Sequence, residues 1–241
     1  MVLQQKTPVL ITGGAGFFGS LLTRRLLSEG YTCVVIDLKD MEFRHDRLIA
    51  IKGDIRNKES LQSLFRMHRF KSVFHCAAIL AHAVRDKAYL WESNVDGTRN
   101  VAEAAVKYGA QSIVFISSNC LWAKNMGRPV REEDTPKPVE IYGQSKWEGE
   151  KILQTYSDQI HTISIRCPTI VDEGRLGLLA ILFEFIAEGR KVWVVGGGHN
   201  RYQFTPATWR PHAWQPPTIP DQTSSTSARM TSNHSGTFMI M

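Results

Sequence analysis

Val9-Leu10-Ile11-Thr12-Gly13-Gly14-Ala15-Gly16-Phe17-Phe18-Gly19 stands near the start of the chain, and Ser20-Leu21-Leu22-Thr23-Arg24-Arg25-Leu26-Leu27 follows it directly. The apolar run reads as a buried strand, the glycines as a tight turn, and the last eight residues as an amphipathic helix. That order suits a bound dinucleotide. Gly13 permits the turn, Gly16 lets the backbone approach a pyrophosphate, and Gly19 lets helix and strand pack closely. The diphosphate is then expected on the unpaired N–H groups at the helix start, around Phe17 and Phe18. A second apolar run, Thr32-Cys33-Val34-Val35-Ile36-Asp37, ends in an acid eighteen residues past Gly19. A carboxylate at this spacing accepts both ribose hydroxyls of NAD and repels the 2′-phosphate of NADP. Lys39 weakens that preference without reversing it. The plainer alternative for Asp37 is a solvated acid at a strand end.

Composition narrows the class. At 241 residues there is room for one sizeable α/β domain and part of a second. A hydrophobic content of 43% with 22% charged residues describes a water-soluble globular chain. The longest apolar stretch, Leu176 to Phe183, is broken by Glu184 and reads as a buried helix and not a membrane span. No secretory signal is visible at the N-terminus, so a cytoplasmic location is expected. The four cysteines (Cys33, Cys76, Cys120, Cys167) are spread out, which suits neither a metal site nor a disulfide framework. The net charge of +6 is scattered and not interleaved with aromatic residues, which argues against a nucleic-acid partner.

Strands are predicted at 8–12, 32–37, 48–52, 72–76, 112–117, 161–166 and 192–195. Helices are predicted at 18–29, 58–67, 84–107, 142–157 and 176–188. Short apolar runs alternating with long amphipathic segments imply a parallel sheet buried on both faces, and so a doubly wound α/β fold. Its ligand belongs at the carboxyl ends of the strands. Gly127 to Val139, rich in proline and charge, reads as a loop near the mouth of that site.

From Thr205 the pattern changes. The segment to Met241 carries Pro206, Pro211, Pro216, Pro217 and Pro220, and the run Thr223-Ser224-Ser225-Thr226-Ser227. Its composition is that of a disordered tail. A second reading comes from the codons. Read one frame over, the degenerate back-translation permits Tyr-Ala-Ser-Asp-Leu-Ala-Thr-Ala-Cys-Leu-Ala-Ala-Ala and then Val-Phe-Asn-Ile-Gly-Ser-Asp-Asp, an amphipathic helix and a buried strand. A frameshift near codon 205 is the expectation drawn from this, with a genuine disordered tail as the alternative.

Tyr142-Gly143-Gln144-Ser145-Lys146 places a phenol and an ammonium four residues apart, on one face of a helix. A phenol with its ordinary pKa near 10 is a poor base. A neighbouring cation and a positive nicotinamide ring stabilise its phenolate, which can take a proton from a sugar hydroxyl as hydride leaves the carbon. The preceding strand, Ser112-Ile113-Val114-Phe115-Ile116-Ser117-Ser118, offers the Ser118 hydroxyl at its carboxyl end to hold the same oxygen.

These motifs together resemble the extended short-chain dehydrogenases/reductases of the NAD-dependent nucleotide-sugar epimerase/dehydratase family. The resemblance covers about residues 7–204. It is carried by Thr12 to Gly19, Asp37, Gly53-Asp54-Ile55-Arg56, Phe74-His75-Cys76-Ala77-Ala78, Asn94-Val95-Asp96-Gly97-Thr98, Ser117-Ser118 and Tyr142/Lys146. It implies an NAD-binding Rossmann domain over 1–204, with the start of a substrate lobe at about 168–204 and the rest of that lobe largely missing. The tail at 205–241 is then either foreign to the fold or disordered. Asp54 and Ile55 would flank the adenine, Ala77, Ala78 and Ser117 would line the cofactor, and Asn94 would support the active-site backbone. Ser118, Tyr142 and Lys146 would form the catalytic triad, with Tyr142 and Lys146 also touching the cofactor. The implied substrate is a nucleotide-sugar, the implied assembly a homodimer through the helices at 84–107 and 142–157, and the implied chemistry epimerisation through a 4-keto intermediate. A dehydratase, a 4-keto-sugar reductase, or an inactive NAD-binding fragment remain as alternatives.

Departures from the family pattern are informative. Asn119-Cys120 stands where 4,6-dehydratases carry a carboxylate. Cys120 occupies the place of an acid/base cysteine in GDP-mannose 3,5-epimerases and GDP-fucose synthases, although a small buried residue is the plainer reading of it. Trp122-Ala123 replaces the usual Tyr-Gly, and Cys167-Pro168-Thr169 replaces an aromatic pair and a substrate-binding Asn. His75 reads as a satisfied core or cofactor-wall residue and not a base. Leu178, Leu179, Ile181, Leu182, Phe183 and Phe185 read as core and domain-interface residues.

Overall fold

The apolar runs do become parallel strands. A computed structural model describes residues 7–122, 128, 130–172, 178–191, 204–206 and 235–239. The strands are β1 (Val9–Thr12), β2 (Cys33–Asp37), β3 (Leu48–Lys52), β4 (Ser72–His75), β5 (Ser112–Ser118) and β6 (His161–Cys167), followed by β7 (Thr169–Val171), β8 (Phe204–Pro206) and β9 (Ser235–Met239). The helices are α1 (Phe17–Ser28), α2 (Lys58–Met67), α3 (Lys87–Trp91), α4 (Gly97–Lys107), α5 (Ile141–Gln154) and α6 (Leu178–Ala187). One parallel sheet runs in the order β3-β2-β1-β4-β5-β6-β9, and β7 pairs in parallel with β8 in a second. The strand order reverses between β1 and β4, so their carboxyl ends open a crevice. Among the described residues no helix is long and apolar enough to cross a membrane.

The chain divides into two compact units, residues 1–168 with 234–241, and residues 169–233. In the first, α1 packs against β1 and β2, while α4 and α5 pack over β4 to β6, with α2 against α4. Leu10, Val34, Ile36, Leu61, Phe65, Val101, Ile113, Phe115 and Leu153 form its main core cluster. Helix starts follow local chemistry. Asn57 Oδ1 accepts from Ser60 N at 2.8 Å to cap α2, and Asp86 caps α3. Gly30 and Gly109 take positive φ just beyond α1 and α4.

Four expectations change. The helix predicted at 84–107 is broken by a π turn at Glu92–Asp96, between α3 and α4. The strand at 48–52 is not buried on both faces. It is the sheet's edge, it is joined to β2 by a non-helical loop, and Ile49 is 41% exposed. Phe183, expected in the core or at a domain interface, is 49% exposed on α6, and Ile186 on the same helix is 59% exposed. The side chains of Leu178, Leu179 and Ile181 lie outside the described ones. The tail, whose composition predicts no strand, contributes β9, which supplies backbone partners to the open edge of β6. The strand expected at 192–195 and the Thr223–Ser227 run lie outside the described residues.

Gly149 on α5 shows how tightly helix and sheet meet. An added Cβ there would lie 2.8 Å from Phe115 Cζ, and that ring is already stacked on His75 with centroids 5.3 Å apart. Gly149→Ala gains about 1 kcal/mol of helix propensity, whereas overpacking a rigid site costs about 1–3 kcal/mol. Because the ring has no room to retreat, the loss exceeds the gain. Urea unfolding is expected to give Gly149→Ala a lower midpoint than wild type; a higher one would mean the ring gives way.

Candidate active site

The turn after β1 presses against the chain leaving β4. Gly13 has φ +72°, and a Cβ on it would lie 2.6 Å from the Cα and N of Ala77. Only glycine satisfies both the backbone angle and the contact. A Cβ at Gly19 would collide with the Gly13 carbonyl oxygen. Phe17 and Phe18 occupy the first turn of α1 and are half-buried, and Gly16 is exposed at its N-cap. Asp37, at the end of β2, accepts from Ala15 N through Oδ2 at 3.0 Å and from Lys39 N through Oδ1 at 2.9 Å. The carboxylate is therefore fixed at the rim of the glycine turn.

On the neighbouring loop Asp54 and Ile55 follow β3. Burial pushes the Asp54 carboxyl up, but hydrogen bonds from Arg56 outweigh it and hold the group below the usual range. Arg56 Nη2 and Nε donate to Asp54 Oδ2 at 2.7 and 2.9 Å. The guanidinium also lies 4.4 Å over the Tyr89 ring and donates to Glu92 Oε2 at 3.2 Å. Asn100 Nδ2 donates to the carbonyls of Ile55 and Arg56, so this loop is tied to α4.

The catalytic candidates meet where β5 ends and α5 begins. Ser118 Oγ accepts from Cys120 N at 3.2 Å. A Cβ on Gly143, the residue after Tyr142, would lie 2.6 Å from the Cys120 carbonyl oxygen, so the start of α5 sits directly on the 119–121 turn. Cys120 is exposed, which overturns the reading of it as a small buried residue. Glu140 caps α5 by accepting from Tyr142 N and Gly143 N. Tyr142 thus lies in the first turn, where the helix dipole favours a negative oxygen and the Glu140 carboxylate opposes it.

Lys146 is 3% exposed. Its Nζ donates to the Ile116 carbonyl at 2.8 Å, sits 4.5 Å from the Phe115 ring centroid and 5.9 Å from that of Tyr142. Burial lowers its pKa to about 8, against smaller upward pulls from Cys76, Cys167 and Glu150. Burial also raises the Cys76 and Cys167 thiols to about 12, so both stay protonated at neutral pH. Asn94, in the π turn, accepts from Ile79 N at 2.7 Å and donates to Ile79 O and Ser145 Oγ, both at 3.0 Å. Ala77 and Ala78 are half-buried after β4. Ser117 is buried, and its hydroxyl donates to Glu150 Oε1 at 2.5 Å.

That last bond belongs to a network the sequence did not reveal. Arg166 on β6 makes a buried ion pair with Glu150 on α5, with Nη2–Oε2 at 2.8 Å. It also donates to the Glu132 carbonyl at 3.0 Å and lies 5.0 Å over the Trp122 ring. Trp122 Nε1 in turn donates to the Asp134 carbonyl at 3.3 Å. The indole that replaces the usual tyrosine thus anchors the 130–137 loop. The signal available was Glu150 four residues beyond Lys146, on the same helical face.

A family model for the NAD dependent epimerase/dehydratase family matches residues 9–208. The chain belongs to this family. A UDP-glucose 4-epimerase of Rhizobium meliloti is 30% identical over 63% of the chain and 48% of its own length. The chain spans about half the length of the curated relatives it matches. Among solved structures, UDP-glucose 4-epimerase of Thermotoga maritima with UDP-glucose aligns over 83% of this chain and 70% of its own, at 26% identity and a TM-score of 0.73. The Thermus thermophilus UDP-glucose 4-epimerase complex with NAD aligns over 83% and 71%, at 27% identity and a TM-score of 0.72. The doubly wound parallel architecture expected from the sequence is that of these epimerases.

The buried lysine has a measurable consequence. Its folded pKa of about 8 lies below the ordinary 10.5, so between these values the unfolded chain binds more protons and stability rises with pH. The raised thiols act in the opposite direction above pH 9, which makes a comparison with Lys146→Met necessary. Urea midpoints at pH 7 and pH 10 are expected to show wild type gaining on Lys146→Met as pH rises. No relative gain would mean the ammonium is not desolvated.

Proposed function

We propose that the chain binds NAD in the crevice beyond β1 and β4 and epimerises a nucleotide-activated sugar through a 4-keto intermediate. The carrying observation is the grouping of Ser118, Tyr142 and buried Lys146 on adjoining elements of the unit that also holds the glycine turn and Asp37. The residues fit the cofactor: the Gly13 cradle closes on Ala77, and Asp37 is set at its rim to take two ribose hydroxyls. Gly13, Gly16, Phe17, Phe18 and Gly19 would hold the pyrophosphate, Asp54 and Ile55 the adenine, and Ala77, Ala78, Asn94 and the Ser117 backbone the nicotinamide side. When bound, the nicotinamide accepts hydride from the sugar and returns it.

The chain's own groups supply the proton transfers. Ser118 Oγ holds the C4 oxygen, and Tyr142 Oη takes its proton as the C4–H bond breaks. Lys146 lowers the cost of the phenolate. Reversal returns the proton from Tyr142 to the oxygen after the ketone has turned. Exposed Cys120 beside Ser118 supports a second proton step at a carbon alpha to that ketone. Elimination of water is the less supported chemistry, because Asn119-Cys120 provides no carboxylate; net reduction of a 4-keto sugar is the alternative the same residues allow. The similarity to UDP-glucose 4-epimerases supports a UDP-hexose as the first substrate to try. We further infer a homodimer through α3–α4 and α5, a cytoplasmic location, and no nucleic-acid or membrane partner. For the tail, we infer a shifted reading frame from near codon 205. Its support is the apolar strand that the other frame permits, and sequencing across residues 195–241 tests it.

Incubation with UDP-glucose or UDP-galactose and NAD in deuterated water separates the readings. C4 inversion without deuterium at C4 is expected, since the hydride returns, and Tyr142→Phe should slow it by about 100-fold or more. Deuterium at C3 or C5 that disappears in Cys120→Ala would assign the thiol an acid/base role. NAD binding with no turnover on any UDP-, GDP- or dTDP-hexose would make this a cofactor-binding chain only. Absence of NAD binding would overturn the proposal.

A further inference from the structure

We propose that His75 is a positioning residue that joins the cofactor turn to the catalytic helix through two separable hydrogen bonds. The proposal rests on the reading above only for the identity of the ligand. His75 ends β4 and is fully buried. Its Nδ1 lies 2.6 Å from Thr12 Oγ1, and its Nε2 lies 2.8 Å from Thr98 Oγ1.

The surrounding groups settle where the protons are. Thr98 Oγ1 donates to the Asn94 carbonyl at 2.6 Å, so it accepts from His75, and Nε2 carries the hydrogen. Nδ1 is then an acceptor, and Thr12 Oγ1–H donates to it. Thr12 Oγ1 in turn accepts from Ala77 N at 3.3 Å. The imidazole is therefore neutral, and both its nitrogens are used. Burial, with a smaller contribution from the Lys146 charge, lowers its pKa to about 3, in keeping with that geometry.

The two arms lead to different places. The δ arm runs through the Thr12 hydroxyl to the Ala77 amide, and the Ala77 backbone is what closes on Gly13. The ε arm ends on Asn94, inside the π turn, whose carbonyl accepts from the Thr98 hydroxyl one turn on. From there Asn94 Nδ2 donates to Ser145 Oγ, and Ser145 Oγ donates to the Tyr142 carbonyl at 2.8 Å. Each chain ends on backbone groups, so neither transports a proton. They set positions. The π turn is also held by Arg56 through Glu92 and by Ile79 through the Asn94 side chain, and the His75 link adds a tie to its backbone from the end of β4.

Amide side chains can replace the arms one at a time. His75→Asn retains an acceptor near the Nδ1 position and loses the donor to Thr98. His75→Gln retains a donor near Nε2 and loses the acceptor for Thr12. Thr98→Val breaks the ε arm without touching the histidine. The readouts are NAD affinity by calorimetry, hydrogen exchange at the Ile79 amide, which Asn94 holds, and the urea midpoint.

His75→Gln is expected to weaken NAD about tenfold while Ile79 exchange stays near wild type. His75→Asn and Thr98→Val are expected to speed Ile79 exchange about tenfold with NAD affinity held within about twofold. If all three variants shift both readouts together, in proportion to the urea midpoint, His75 is a core residue only and the proposal falls. Unchanged Ile79 exchange in Thr98→Val overturns it even where neither histidine variant folds. Failure of the wild-type chain to bind NAD counts against the proposed function alone, because the Ile79 comparison still decides whether the ε arm exists.

Discussion

Burying the Lys146 ammonium costs folding free energy that its neighbours must offset, and much of the first unit is arranged around that requirement. The Ile116 carbonyl takes one of its protons, and the Phe115 ring faces it at 4.5 Å. Phe115 is held by His75 on one side and by the bare Gly149 backbone on another. Removing the glycine, the ring or the carbonyl alignment would each loosen the same contact. A cation in this setting is destabilising as a resident, because a single carbonyl and a ring replace its water only in part. In the proposed mechanism an anion forms nearby on Tyr142, one turn earlier on α5, whose ring centroid lies 5.9 Å from the ammonium, and that charge would offset the cost.

Two titratable groups near this point are driven by one cause to opposite uses. Burial keeps His75 neutral, and both its nitrogens serve fixed hydrogen bonds. The same burial brings Lys146 towards neutrality without reaching it at pH 7, so its charge remains available. Glu150 and Arg166 form a third arrangement, in which the two buried charges offset each other and Ser117 donates a hydrogen bond to the carboxylate. Breaking that pair by removing one partner would leave an uncompensated charge, at a cost of about 3–5 kcal/mol. The pair and Ser117 join β6 to α5 and β5, the two elements that carry Ser118, Tyr142 and Lys146.

The sequence made the strands, the glycine turn, Asp37 and the Tyr142/Lys146 pair legible because each depends on local spacing. Periods of two, three and four residues survive in one dimension, so β1, α1 and α5 fall close to where the pattern predicts. What was not legible depends on partners far along the chain. The exposure of β3 follows from its edge position and from a non-helical connection to β2, neither visible in the apolar run Leu48–Ile51. The π turn at Glu92–Asp96 needs one extra residue per turn, and no residue type marks it. His75 was correctly read as satisfied, but its four neighbours come from Thr12, Ala77 through Thr12, Thr98 and Phe115. Phe183 was expected to be buried because α6 is apolar nearly all round, yet apolarity alone names no surface to bury it against.

All the candidate cofactor and proton-transfer residues lie in one compact unit, 1–168 with 234–241. Within it the adenine-side loop is bonded to the π turn through Arg56 and Glu92, and the pyrophosphate turn to the same π turn through Thr12, His75 and Thr98. One end of an extended ligand would therefore bear on Glu92 and the other on Asn94, which reaches the backbone of Tyr142 through Ser145. On the proposed reading, such a site would set its catalytic geometry from the cofactor side, through groups that make no demand on the sugar. If the proposed reaction holds, the choice of sugar would be free to rest on other residues without disturbing Ser118, Tyr142 and Lys146. The proposed chemistry would ask of Ser118, Tyr142 and Lys146 only that a hydroxyl be presented at Ser118, whatever holds the rest of the ring.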